Sequence, residues 1–175
     1  ELQSMIGMGK FVAFFKERVN KWQLTLGNIE STLKEWSGVS KTWASLEAIF
    51  LGSADIRAQM PEDTARFESI DHDFKEMMLS AVLDPGVVSA CTAERRYDDL
   101  KEMSRLLEMC QKSLNEYLDV KKTMYPRFYF VANVALLDIL SNGNNAPRIM
   151  RHFGDCYVGL DRLEFPVDVI DQATS

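Results

Sequence analysis

The sequence is poor in the residues that mark several protein classes. With 5 Pro and 9 Gly spread along 175 residues, collagen-like repeats and low-complexity linkers are excluded. Cys91, Cys110 and Cys156 are odd in number, far apart and never in a Cys-x-x-Cys pair, so neither a disulfide framework nor a zinc knuckle is expected, and the thiols read as free. No apolar run approaches the roughly 18 residues needed to cross a bilayer, and the first residues lack a signal-peptide core. A soluble intracellular chain is therefore expected. Basic residues do not dominate: 20 Lys+Arg face 26 Asp+Glu, a formal charge of −6, so the electrostatic footprint of a nucleic-acid binder is missing. What is present is a 46% hydrophobic and 26% charged composition, enough to fold as one domain that buries roughly 70% of its unfolded surface. The chain starts at Glu1 without Met and ends at Ser175 without a tail signal, so a piece of a longer polypeptide is expected.

Helical periodicity is the strongest positive signal. Phe15, Val19, Trp22, Leu26, Ile29, Leu33, Trp36 and Trp43 alternate steps of four and three with a gap at Ser40, the spacing of a long helix that buries one narrow stripe. Leu46 and Phe50 leave that stripe, which predicts a break or bend near Gly38. Leu51 to Met60 reads as a loop. Pro61, followed by Glu62 and Asp63, opens a second helix to about Val82, with Phe67, Ile70, Phe74, Met77, Met78 and Ala81 inward, before Asp84-Pro85-Gly86 forces a turn. A third helix carries Leu100, Met103, Leu107, Cys110, Leu114, Tyr117 and Met124, and stops near Tyr125 because Pro126 disfavours helical geometry in the residue before it. Tyr125 to Phe130 then forms an aromatic crossover. Val131 to Leu140 gives a shorter helix with Leu136, Leu137 and Leu140 inward, closed by Asn142-Gly143, and Pro147 opens another bearing Ile149, Met150 and Phe153. No period-two alternation points to a sheet. The expected fold is all-α: an elongated antiparallel helical bundle of long helices joined by short loops.

Constellations that carry chemistry are weak. Gly7-Met8-Gly9-Lys10 resembles the end of a phosphate-binding loop, but Ser4 stands where a glycine is needed and Phe11 where the magnesium-holding Ser or Thr belongs. Glu68, His72 and Glu76, with Asp71 and Asp73 beside them, share one helical face and could in principle hold a metal. Di-metal bundles repeat such a set on a partner helix, however, and the one other histidine is His152, so a solvated acidic face is the better reading. No cysteine has the partners of a nucleophile and no Gly-x-Ser-x-Gly elbow exists, so no catalytic, cofactor-binding or metal residue is assigned. Trp22, Trp36 and Trp43 read as core rather than as a ligand box. Arg127 either stacks within the crossover or reaches a carboxylate on another domain. Lys121 and Lys122 complement a helix dipole, and Arg148, Arg151 and His152 read as an exposed basic group.

Specific strings then carry a resemblance. Trp43-Ala44-Ser45-Leu46-Glu47-Ala48-Ile49-Phe50, Asp55 through Asp63, Phe67 with Ile70-Asp71 and Phe74-Lys75, and Leu106-Leu107-Glu108 resemble in order and spacing the linker region of dynein heavy chains. So do Lys112 through Leu118, the crossover Tyr125-Pro126-Arg127-Phe128-Tyr129-Phe130, and Leu136 through Asn144. The last is most similar to axonemal, outer-arm-type chains. Tyr125 and Lys122 replace the family's commoner Phe and Arg. The resemblance covers residues 1–165 as a linker helical segment and leaves 166–175 unassigned.

The resemblance implies a mechanical lever that bends and straightens across a ring of AAA modules as the ring hydrolyses ATP, in the cytoskeleton of a cilium or flagellum. It also implies that this segment binds no cofactor, ATP and magnesium being held by the ring elsewhere in the parent chain. The implied partners are the ring modules of the same heavy chain, with microtubules reached only through that chain, and neither nucleic acid nor membrane. Stiffness is expected from Trp22, Ile29, Trp36, Leu107, Leu114 and Tyr117, and compliance at Gly38, Gly52-Ser53, Asp84-Pro85-Gly86 and Pro126. The alternative is a docking module for dynein-arm subunits or regulators, using the Glu68/His72/Glu76 face and the Arg148/Arg151 patch.

Overall fold

The computed structural model describes residues 1–7, 13–143, 145–160 and 163–164. Met8, Gly9 and Lys10 of the loop-like string, and the tail 166–175, lie outside them. The described residues are all-α. Three long helices dominate: α2 (Lys16–Phe50), α4 (Pro61–Leu83) and α6 (Arg96–Met124). Shorter helices are α1 (Leu2–Ile6), α3 (Ala54–Gln59), α5 (Val87–Thr92), α7 (Asn133–Ser141), α8 (Ala146–Ile149) and α9 (Phe153–Cys156). Two 3-10 turns, Pro126–Phe130 and Met150–His152, complete the order. The chain divides into two compact units, one of Glu1–Ser45 with Glu68–Glu108 and the other of Leu46–Phe67 with Met109–Ser175.

The predicted break at Gly38 is absent, and α2 runs through it. The reason is that the buried stripe runs one residue off the expected one between Ile29 and Trp43. Ile29, Thr32, Val39, Leu46 and Phe50 are buried, with Trp36 and Trp43 half-buried between them, so steps of three and four continue without a gap from 29 to 50. Thr32, only 1% exposed, disguised the seam because its hydroxyl made it look polar. Gly38 sits on the exposed face with nothing close to its missing side chain. Its cost of about 1 kcal/mol is outweighed by the packing on the opposite face. The displaced stripe is correspondingly open: Phe15, Trp22, Leu26 and Leu33 are exposed, so Trp22 is not core.

In the first unit, α2 and α4 run antiparallel. Trp43 packs on Phe74 with ring centroids 5.0 Å apart, and the Trp36 Nε1–H points at Met78 Sδ, 3.3 Å away. Ile70, Phe74 and Met77 of α4 and Leu100, Met103 and Leu107 of α6 are buried; Met78 is exposed. In the second unit, Phe50 stacks on Phe67 at 5.3 Å, and Cys110, Leu114 and Leu118 of α6 are buried while Met124 is exposed.

Local signals placed the ends well. The chain leaves α6 at Met124, Tyr125 is extended at φ −133°, and Pro126 starts the 3-10 turn. Asn145 caps α8 by accepting from the Arg148 N–H. The expected loop from Leu51 to Met60 instead contains α3, whose cap is Ser53, accepting from the Ile56 N–H at 3.3 Å. Gly52 precedes that cap, where a Cβ would lie 2.3 Å from the Ala48 carbonyl oxygen, a space no larger residue can share.

Candidate functional site

Two polar assemblies stand out, one in each unit. In the first, Asp71 of α4 accepts from the Trp43 indole N–H at 3.0 Å and from Lys75 Nζ at 2.8 Å, while Lys75 also lies 5.7 Å from the Trp43 ring centre. The tryptophan therefore buries its ring against Phe74 and satisfies its N–H, which fixes the angle of its side chain across the α2–α4 seam. Arg96 covers Trp36 from its face, with the guanidinium 5.2 Å from the ring centre and Nη2 donating to Ser80 Oγ at 3.0 Å. Both are half-buried tryptophans clamped by a cation, a role the core reading of these residues only half anticipated.

The second assembly surrounds the crossover. Arg127 Nη1 donates to the Cys156 carbonyl at 2.9 Å, and its guanidinium sits 4.5 Å from the Tyr157 ring centre. The Tyr125 and Tyr157 hydroxyls meet directly, and Tyr125 packs edge-on to Phe128 at 4.9 Å. Arg127 is thus engaged within its own unit, on Cys156 and Tyr157 beyond the crossover itself. Lys122 reaches Asn133 at the start of α7, 2.7 Å away, besides lying 3.5 Å from Asp119. Ser53 and Ser141 share a 2.9 Å hydrogen bond that ties the α3 cap to the end of α7.

Asp138 of α7 is the hub that sequence reading missed. Its carboxylate lies 2.7 Å from His152 Nε2, accepts from Asn142 Nδ2 at 2.8 Å and faces Arg148 Nη2 at 3.5 Å. The His152 bond first, then Arg148 and Arg151, holds the Asp138 carboxyl below the usual carboxylate range. Arg148 and Arg151 are exposed, as expected of a basic group, whereas His152, with 16% of its side chain exposed, turns in to this carboxylate. The one signal available was the return of the chain past Asn142-Gly143, which brings residues ten to fourteen positions on back over Asp138.

The remaining candidates resolve simply. His72 Nε2 lies 3.6 Å from Glu76 Oε1, with both side chains about 70% exposed, so this face is solvated as expected. Among the described residues no group of three His, Cys, Asp or Glu is placed to hold a metal ion. Cys91, Cys110 and Cys156 are free and buried, and burial pushes all three thiols up. No described helix is long and apolar enough to cross a membrane.

Comparison with known proteins supplies the family. A family model described as "Dynein heavy chain, N-terminal region 2" matches residues 1–175. The chain belongs to the dynein heavy chain family. It is 45% identical over 171 residues to the dynein beta chain of the flagellar outer arm of Chlamydomonas reinhardtii, covering 96% of this chain. It is also 43% identical over 168 residues to dynein axonemal heavy chain 17 of Mus musculus, covering 96%, and 41% identical over 174 residues to dynein axonemal heavy chain 9 of Homo sapiens, covering 99%. This dynein heavy-chain segment spans 4% of the length of each of those relatives.

Proposed function

We propose that residues 1–165 are a segment of the linker, the lever of an axonemal dynein heavy chain, passing an ATP-driven change of the AAA ring on to microtubule-based movement in a cilium or flagellum. Nucleotide and magnesium belong to the ring elsewhere in the parent chain, and the partners of this segment are ring modules of the same polypeptide. The observation that carries the reading is that α2 runs unbroken through Gly38, its stripe in the first unit buried at Ile29, Thr32 and Val39 with Trp36 and Trp43 half-buried between. Within the first unit, a helix whose apolar stripe is seated from Ile29 to Trp43 hinges at Gly38 only by breaking those contacts, so this stretch carries force without bending. The axonemal setting is supported by the printed names of the relatives. The docking-module alternative has less support: in its Arg148/Arg151 patch, Arg148 faces Asp138 at 3.5 Å and the Arg151 Nε donates to the Arg148 carbonyl at 3.0 Å.

The test is a break in the lever. Val39→Pro, at a buried position in the middle of α2, removes a helical hydrogen bond and costs about 3 kcal/mol or more. In the assembled heavy chain the variant should keep ATP hydrolysis by the ring and lose microtubule gliding speed. Unaltered gliding with α2 shown to be kinked would overturn the lever reading.

A further inference from the structure

Residues Asn145–Leu160 hold their place in the second unit in a way unlike the long helices. They form two helices of four residues, α8 and α9, with a 3-10 turn between, so they have little intrinsic stability. Their apolar anchorage is slight: Cys156 is buried, whereas Ile149, Met150, Phe153 and Leu160 are only half-buried. Most of the attachment is polar. One clasp is the Asp138 carboxylate, taking His152 at 2.7 Å and Arg148 at 3.5 Å. The other is Arg127, donating to the Cys156 carbonyl and stacking on Tyr157, whose hydroxyl meets that of Tyr125. The two clasps join the same short segment to α7 on one side and to the crossover on the other.

Such an attachment differs physically from a core. Apolar burial is lost gradually with exposed area, but a few directional bonds to charged groups are made or broken together, and each freed group is immediately solvated. The segment follows α7 through residues 142–144, and its backbone hydrogen bond to the preceding chain, Asn145 N–H to the Asn142 carbonyl at 2.8 Å, lies beyond the end of that helix at Ser141. It can therefore leave both without disturbing the hydrogen bonds within α6 or α7.

We propose that Asn145–Leu160 is a latch that lifts from α7 and the crossover while the long helices stay folded, its closed population set by the Asp138 carboxylate. When closed it occupies Arg127. When open it frees the Arg127 guanidinium, flanked by Tyr125 and Phe128, to meet a carboxylate on another surface. This goes beyond the lever reading and does not depend on it.

The chain carries its own reporters. Cys156 sits on the latch and Cys110 on α6, both buried, so each reacts with a thiol reagent only after its surroundings open. Alkylation of the native heavy chain with iodoacetamide, resolved peptide by peptide in a mass spectrometer, compares the two in one sample. Local opening predicts that Cys156 reacts at least about tenfold faster than Cys110. Asp138→Asn, which removes the charge from the hub, should speed Cys156 by a further ten- to hundredfold or so and leave Cys110 unchanged. His152→Gln should give a smaller acceleration of the same kind. Equal rates for Cys156 and Cys110 in the unmodified protein would overturn the latch, since that needs no variant to fold. So would an Asp138→Asn effect that is absent, or the same on both thiols.

Discussion

The position of the buried stripe on α2 can be tested by making one chemical change at two places on one helix. Leu46 is 2% exposed and Leu33 is 46% exposed. Truncating a fully buried leucine to alanine removes its transfer free energy and leaves a cavity, a combined cost of about 3 to 5 kcal/mol in well-packed cores. At Leu33 about half the side chain is already in water and solvent fills the space that truncation opens, so the transfer loss is about 1 kcal/mol with no cavity to add. The better helix propensity of alanine reduces that slightly. The expected difference between Leu46→Ala and Leu33→Ala is thus at least about 2 kcal/mol. Urea titration followed by circular dichroism at the helical minimum reads it directly, because the described residues are all-α. A Leu33→Ala cost equal to that of Leu46→Ala would refute the stripe through Thr32 and Val39 and restore the one through Leu33.

Two further outcomes follow from the second unit. Ser53→Ala removes the α3 cap and the partner of Ser141, and should cost about 1 to 2 kcal/mol, measured as a lower urea midpoint with an unchanged slope. The Asp138 carboxyl is held below its ordinary value, chiefly by the His152 bond, so its stabilisation is fully present above the unfolded value of about 3.9 and fades as pH falls through the folded one. The stability gap between the parent protein and Asp138→Asn should therefore be widest above about pH 5 and close towards pH 2; a gap that widens on acidification would contradict it.

Much of this fold was legible because its signals are local. Pro61 and Pro126 fixed a start and a stop by backbone geometry alone, and the stripe of α6 from Leu100 to Leu114 is buried as spaced. The α2 stripe was misplaced by one step because Leu33 outranks Thr32 on any hydrophobic scale, although the neighbouring helices decide which of two adjacent positions faces inward. Helix α3 was missed because six residues are too few for a period, leaving only Ser53 to announce it. The Asp138 hub was invisible for another reason. Its members come from α7, α8 and a 3-10 turn, and no spacing rule predicts how three short elements fold back on one another. Membership of the dynein family was legible in the strings themselves, and the family match over residues 1–175 agrees with it.

Within the first unit α2 is one stiff rod through Gly38. Spin labels at Leu24 and Lys41, both exposed and both in the first unit, report on that stiffness in the assembled heavy chain. An unbroken helix sets the 17-residue separation at about 25 Å along its axis. Pulsed electron resonance should then give a single narrow distance that stays the same with and without nucleotide. A broad distribution, or a distance that shortens in one nucleotide state, would show instead that α2 gives way near Gly38.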